Sequence, residues 1–194
     1  CSISGNPTAW ATSATLKVTG TDANSGLAAS PYSWDGTNYS TTQTKSVTAN
    51  GTYTAYVKDK VGNVKTCSVD VTKIDREGPS ITFSPNGNTT PAKSHSTIVT
   101  ATDGADLGTL KYVWSTSTTA PADSSFTTTF TSGDTLTKNG VTGNYYLWVY
   151  ATDSLGNITR VKTTNPFNLD NTKPTNLKIT GLPTTWVTSA TLKV

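Results

Sequence analysis

The chain has 194 residues, with 15 Lys and Arg against 12 Asp and Glu, a net charge of +3, 34% apolar residues and 14% charged ones. Counting along the sequence gives 42 Thr and 20 Ser, one His and no Met. This composition excludes a helical bundle or coiled coil, which needs Leu, Ala, Glu and Lys in quantity. It also excludes a nucleic-acid footprint, which needs a basic stripe, and a membrane-spanning helix, because the apolar runs are only a few residues long.

Along the chain, apolar and polar residues alternate with period two. Ala14, Leu16 and Val18 alternate with Thr15, Lys17 and Thr19, which predicts an early strand. Tyr53, Ala55 and Val57 predict another, and Cys67, Val69 and Val71 opposite Thr66, Ser68 and Asp70 predict a third. Val, Thr and Tyr fill these runs and Gly, Asn, Asp and Pro punctuate them, as strands require. In the second half, Tyr145, Leu147 and Val149 fall on one face of a predicted strand, and Tyr146, Trp148 and Tyr150 on the other. The run around Tyr112 and Trp114 is a candidate neighbour for it. Asp-x-x-Gly-Asn occurs twice, at 59–63 and 153–157, each time between strand-like runs. Gly accepts a positive φ there, and Asp and Asn bond to nearby backbone, so these are hairpin turns with structural carboxylates.

The sequence repeats itself. Residues 1–18, CSISGNPTAWATSATLKV, match residues 177–194, LKITGLPTTWVTSATLKV, at 12 of 18 positions without a gap. A shorter likeness joins 50–66 to 143–163, and each of these is followed by an Asp and then a Pro, in IDREGP (74–79) and LDNTKP (169–174). The predicted organisation is one domain over 1–75, a longer one over 76–172, and the first two strands of a third over 173–194. Opening on Cys1 with no Met, the chain reads as a piece of something longer, a window on a tandem array. Trp10 and Trp186 are read as sealing the loop between the first two strands.

The segments TAWATSATLKVTGTDANSGL (8–27), YSWDGTNY (32–39), NGTYTAYVKDKVGN (50–63) and VDVTKIDREGP (69–79) resemble the immunoglobulin-like (Big-type) repeats of large cell-surface proteins of Gram-positive bacteria. SPNGN (84–88), LKYVWSTSTTAP (110–121) and NYYLWVYATDSLGN (144–157) are similar to a related type. The resemblance implies an all-β fold of tandem immunoglobulin-like sandwiches in a linear array. It also implies secretion to the cell surface and a role as a spacer or adhesive module, without catalysis.

In such a sandwich the first and last strands lie close, so Cys1 and Cys67 are placed to form a disulfide; two buried free thiols are the alternative. Leu177 stands where Cys1 does in the repeat, which marks the position as buried and apolar. His95 has no second His or Cys for a zinc set, and no Gly-x-Ser-x-Gly elbow or phosphate loop occurs. No cofactor is expected. Calcium at the interdomain joints is the one cation considered, through Asp70, Asp75, Glu77 and Asp170, with Asp22 and Asp103 after nearby strands. Against it, Ca²⁺ takes six to eight oxygens, and the same Asp residues serve equally as turn caps. A Lys–Asn isopeptide bond, known in similar surface domains, needs a Lys in the core.

Tyr146, Trp148 and Tyr150 are the sharpest local feature. Facing outward they would contact a partner: neighbouring copies of the chain, adjacent repeats, or a glycan stacked on the rings. Otherwise the 115–135 stretch covers them or they pair across strands. The function expected is that of a structural spacer in an extracellular stalk or fibre, with filament assembly as one form of it. The alternatives are an adhesin or carbohydrate-binding module, and an accessory domain of a larger secreted enzyme.

Overall fold

In the computed structural model, which describes residues 1–193, the regular structure is all-β apart from one 3-10 turn at Asp123–Ser125. Strands β1 (Ser2–Ser4), β2 (Ala14–Thr19), β3 (Leu27–Ser33), β4 (Thr44–Val47), β5 (Gly51–Asp59) and β6 (Val64–Val71) come first. They form two three-stranded antiparallel sheets, β1-β2-β4 and β3-β5-β6. The period-two pattern decides which residues meet between the sheets: Leu16 and Val18 of β2, Val47 of β4, Ala55 and Val57 of β5 and Val71 of β6 are buried, and Thr15, Lys17 and Thr19 face solvent.

Strands β7 (Ser80–Ser84), β8 (Asn88–Ala92), β9 (Ser94–Thr102), β10 (Leu107–Ser115), β11 (Thr128–Thr129), β12 (Thr135–Asn139), β13 (Gly143–Asp153), β14 (Ile158–Lys162) and β15 (Phe167–Leu169) follow. One sheet is β12-β9-β7; the other runs β11-β10-β13-β15-β8, with β14 also on β13. The 11-residue β13 is the centre of this half. Its Leu147, Val149 and Ala151 are fully buried against Val99, Ala101, Leu110 and Leu136. His95 ties the sheets together: its Nε2 lies 3.0 Å from the carbonyl oxygens of both Thr90 and Asn168, so that nitrogen carries the proton and donates to them. The buried polar residues are Ser33, Thr97, Asp153 and Thr163, so no Lys is available in the core for an isopeptide bond among the described residues.

The expected disulfide is present. Cys1 and Cys67 are bonded, with Cα atoms 5.7 Å apart, linking the start of the first sandwich to its last strand. The position is not the buried one that Leu177 suggested: Cys1 is exposed and Cys67 half-buried. The bridge clips the rim of the sandwich rather than filling its core. Residues 173–193 are exposed throughout and carry a single β-bridge, Thr180 to Lys193. No helix among the described residues is long and apolar enough to cross a membrane.

Candidate functional site

The aromatic strand is the first place to look for a ligand surface. On β13, antiparallel pairing sets Val113 of β10 beside Trp148, and Lys162 of β14 on its other side. Trp148 is nevertheless only 6% exposed, because the segment after β10 folds over this face. The indole Nε1 donates to the Ser117 carbonyl at 3.1 Å. Phe126 packs 5.7 Å from the Tyr150 ring, and Arg160 lies over the same ring while its guanidinium pairs with Asp123. The Lys162 ammonium sits 4.3 Å from the centre of Tyr146. Of the two arrangements left open for Tyr146, Trp148 and Tyr150, the structure shows the covered one, with two cations and a loop over the rings. Tyr112 and Trp114 do lie on the neighbouring strand, but on its inner face, against Phe130 and Phe167.

The second place is the joint between the sandwiches, where the chain is held on both sides. Ala11 N–H donates to the Lys73 carbonyl and Asp75 N–H to the Ala11 carbonyl. Asn50 clamps Ile74 from the other side: its Nδ2 donates to the Ile74 carbonyl at 2.9 Å and its Oδ1 accepts the Ile74 N–H at 2.8 Å. Beyond Ile74 the contacts cross to the second sandwich. The Asp75 carboxylate accepts Ala105 N–H, and the Asp75 carbonyl accepts Asn157 Nδ2. Gly78 passes so close to the backbone of Ile158 and Thr159 that a Cβ there would clash, and Pro79 is fully buried.

Trp10 belongs to this joint. Its ring edge faces Gly104 in the second sandwich, 3.5 Å from where a Cβ on that glycine would lie, and the Lys73 ammonium sits 5.2 Å from the ring centre. Sequence reasoning gave Trp10 a role within its own sandwich. The signal it lacked was three-dimensional, since only the fold brings the loop at 103–105 to the loop before β2. Trp10, Ile74, Asp75, Gly78, Asp103 and Gly104 line an open groove of about 490 Å³.

Three carboxylates converge here. Oxygens of Asp75, Asp103 and Asp153 lie within 4.8 Å of one another, the one group among the described residues placed to share a cation. Asp75 and Asp103 were singled out in the sequence; Asp153 was read only as a turn residue. The oxygens are already engaged. Asp75 accepts Glu77 and Ala105 N–H, and Asp103 accepts Ala105 N–H. Asp153, 4% exposed, accepts Leu155 N–H, Asn157 N–H and Asn157 Nδ2. Burial above all, then the neighbouring Asp75 and Asp153 carboxylates, raises Asp103 above the usual carboxylate range. The Glu77 N–H above all holds Asp75 below it. Of the other positions considered for calcium, Asp22 accepts Asn24, Ser25 and Gly26 N–H, Asp170 accepts Thr172 N–H, and Asp70 accepts the Thr52 hydroxyl.

No family model matches the chain, and no curated protein matches it. Among solved structures, fibronectin(III)-like modules of Clostridium thermocellum CbhA match at 11% identity and a TM-score of 0.35, over 91% of this chain and 100% of that one. A likeness that distant carries nothing about function.

Proposed function

We propose that the chain is a spacer in a bacterial extracellular surface protein, in which β-sandwiches follow one another through short, packed joints, and that it performs no catalysis. The observation that carries this reading is the joint at residues 73–79. It is bonded to the first sandwich through Ala11 and Asn50 and to the second through Ala105 and Asn157, with Trp10 and Gly104 lining the same groove. A spacer needs stiffness between units, and a joint bonded on both sides supplies it. Pro79 adds to that stiffness, because it biases Gly78 to extended backbone. The disulfide supports an oxidising, extracellular compartment. The covered state of Trp148 gives the carbohydrate-binding alternative no support.

The test is a distance distribution by electron paramagnetic resonance between spin labels at exposed Thr66 and Ser94, introduced as unnatural residues to leave the disulfide intact. A narrow distribution that broadens in Trp10→Ala is expected. A broad distribution in the wild-type chain overturns the spacer reading.

A further inference from the structure

Asn-Gly occurs three times in the chain, at 50–51, 86–87 and 139–140. The pair is chemically reactive, because a glycine, having no Cβ, lets its backbone nitrogen swing onto the amide carbon of the preceding Asn. The structure treats the three sites differently. Asn50 is clamped to the linker by both of its side-chain polar atoms, through the Ile74 carbonyl and the Ile74 N–H. Asn86 is clamped to Thr164 in the same way: its Nδ2 donates to the hydroxyl oxygen at 3.0 Å, and its Oδ1 accepts the Thr164 N–H at 2.7 Å. The backbone of that turn is packed as well, since a Cβ on Gly87 would clash with the Asn165 carbonyl. Asn139 is neither clamped nor packed. It is exposed, with no hydrogen bond to its side chain among the described residues. It ends β12, opposite Ser94 in the terminal rung of the ladder with β9. Gly140 lies beyond the strand with φ +68°, and nothing stands within 4 Å of where a Cβ on it would be. Asn24 is also exposed, but the nitrogen that follows it is engaged, because Ser25 N–H donates to Asp22 at 2.7 Å.

We infer that Asn139 is a site of spontaneous backbone modification, and that the fold protects Asn50 and Asn86 from the same reaction. The Gly140 nitrogen attacks Cγ of Asn139. A C–N bond forms, the Cγ–Nδ2 bond breaks, and ammonia leaves with the proton that the glycine nitrogen gives up through water. Water then opens the resulting five-membered imide. Breaking the bond from nitrogen to Cγ gives aspartate, and breaking the bond from nitrogen to the Asn139 backbone carbonyl carbon gives isoaspartate. Water is the only co-reactant. Aspartate places a negative charge at the end of β12, and isoaspartate inserts a methylene into the backbone there. Val141 and Thr142 follow directly, and both hold Asn171: the Val141 carbonyl accepts its Nδ2 at 2.7 Å, and the Thr142 hydroxyl oxygen accepts its N–H at 3.0 Å. The reaction therefore alters the hairpin that secures the segment after β15. The inference does not rest on the spacer reading, which is tested at other positions.

The experiment ages the whole chain, disulfide intact, at mildly alkaline pH, beside a reduced sample held unfolded in guanidinium chloride in the same buffer. Sampling continues until all three Asn-Gly sites have reacted in the unfolded sample, which sets the clock. The sites fall in separate tryptic peptides, 46–58, 77–93 and 139–160. Mass spectrometry with fragmentation reads the exchange of an amide NH₂ for OH at each Asn, and labelling by an isoaspartyl methyltransferase reads the isoaspartate. In the folded chain, peptide 139–160 should convert at Asn139, while 46–58 and 77–93 stay at their starting mass. Asn139→Gln should lose the conversion, since its longer side chain would have to close a six-membered ring. A folded chain in which Asn139 is unchanged when the unfolded sample has reacted overturns the inference. So does a folded chain in which Asn50 or Asn86 converts as fast as Asn139, because the clamps then protect nothing.

Discussion

At the scale of single residues, the carboxylates of this chain act as local organisers of backbone. Asp59 accepts Val61 N–H, Asn63 N–H and Asn63 Nδ2; Asp153 accepts Leu155 N–H, Asn157 N–H and Asn157 Nδ2. The two Asp-x-x-Gly-Asn turns therefore make the same three bonds, with Gly62 at φ +97° and Gly156 at +88°. Asp35 goes further in the turn after β3. Its oxygens accept Asn38 Nδ2, the N–H groups of Asn38 and Thr37, and the hydroxyls of Ser33 and Thr37. The Asn38 amide above all holds the carboxyl far below its ordinary range. A carboxyl depressed in the folded state contributes stability that is present above its unfolded value, about 3.9, and is lost as the pH falls through the folded value. Acidification should therefore lower the melting temperature of the first sandwich more in the wild-type chain than in Asp35→Asn, whose amide does not titrate. Thermal melts from neutral pH down to strongly acidic pH check this. Parallel slopes in the two proteins would show that the Asp35 cage does not couple to folding.

At the scale of strands, alternation told a great deal. It placed Leu16, Val18, Ala55, Val57, Leu147 and Val149 inside because period two leaves a half-buried strand only one way to face. It could not say which strands pair, because most of the longer strands carry the same alternation of Thr with apolar residues. Nor could it say what lies over an outer face. The cover that Ser117 gives Trp148 and Phe126 gives Tyr150 comes from a segment with no periodicity of its own, so alternation left a covered and an exposed face equally open. Tyr112 and Trp114 went unplaced for the same reason: which face they took depended on the register with β13. The disulfide followed from the resemblance to sandwiches whose first and last strands lie close, and its position at the rim did not.

That bridge has a consequence confined to one set of strands. It closes a separation of 66 residues within the first sandwich, and the chain-entropy relation gives such a loop roughly 4 kcal/mol. The strands of the second sandwich share no hydrogen-bonded sheet with the first. Reduction, or the Cys1→Ser and Cys67→Ser pair, should split the calorimetric transition: the first sandwich melts earlier and the second stays in place. A second transition that moves with the first would mean that the joint couples their unfolding.

At the scale of the whole molecule, the joint concentrates negative charge where the two sandwiches meet. Asp153 arrives from the turn after β13, Asp103 from the loop after β9, and Asp75 from the linker itself. Five of their six carboxylate oxygens accept an N–H. Those donors offset part of the mutual repulsion. Three side chains so engaged fall short of the six to eight oxygens that calcium takes. Replacing Asp103 by Asn keeps an oxygen for the Ala105 N–H and adds an NH₂ facing Asp75. Because a carboxyl raised in the folded state loses its stabilising effect as the pH rises through its folded value, the substitution should help most at neutral pH and above. The melting temperature of Asp103→Asn should exceed that of the wild-type chain by a few degrees at most, about what 1 kcal/mol moves in a chain of this size. Scanning calorimetry with a chelator and with millimolar calcium distinguishes the two accounts of the joint. If the carboxylates hold a cation, calcium raises the wild-type transition and Asp103→Asn loses that rise. If backbone and amide donors alone hold them, calcium moves neither protein and the Asn variant is the more stable one in both buffers; this second outcome is the one expected.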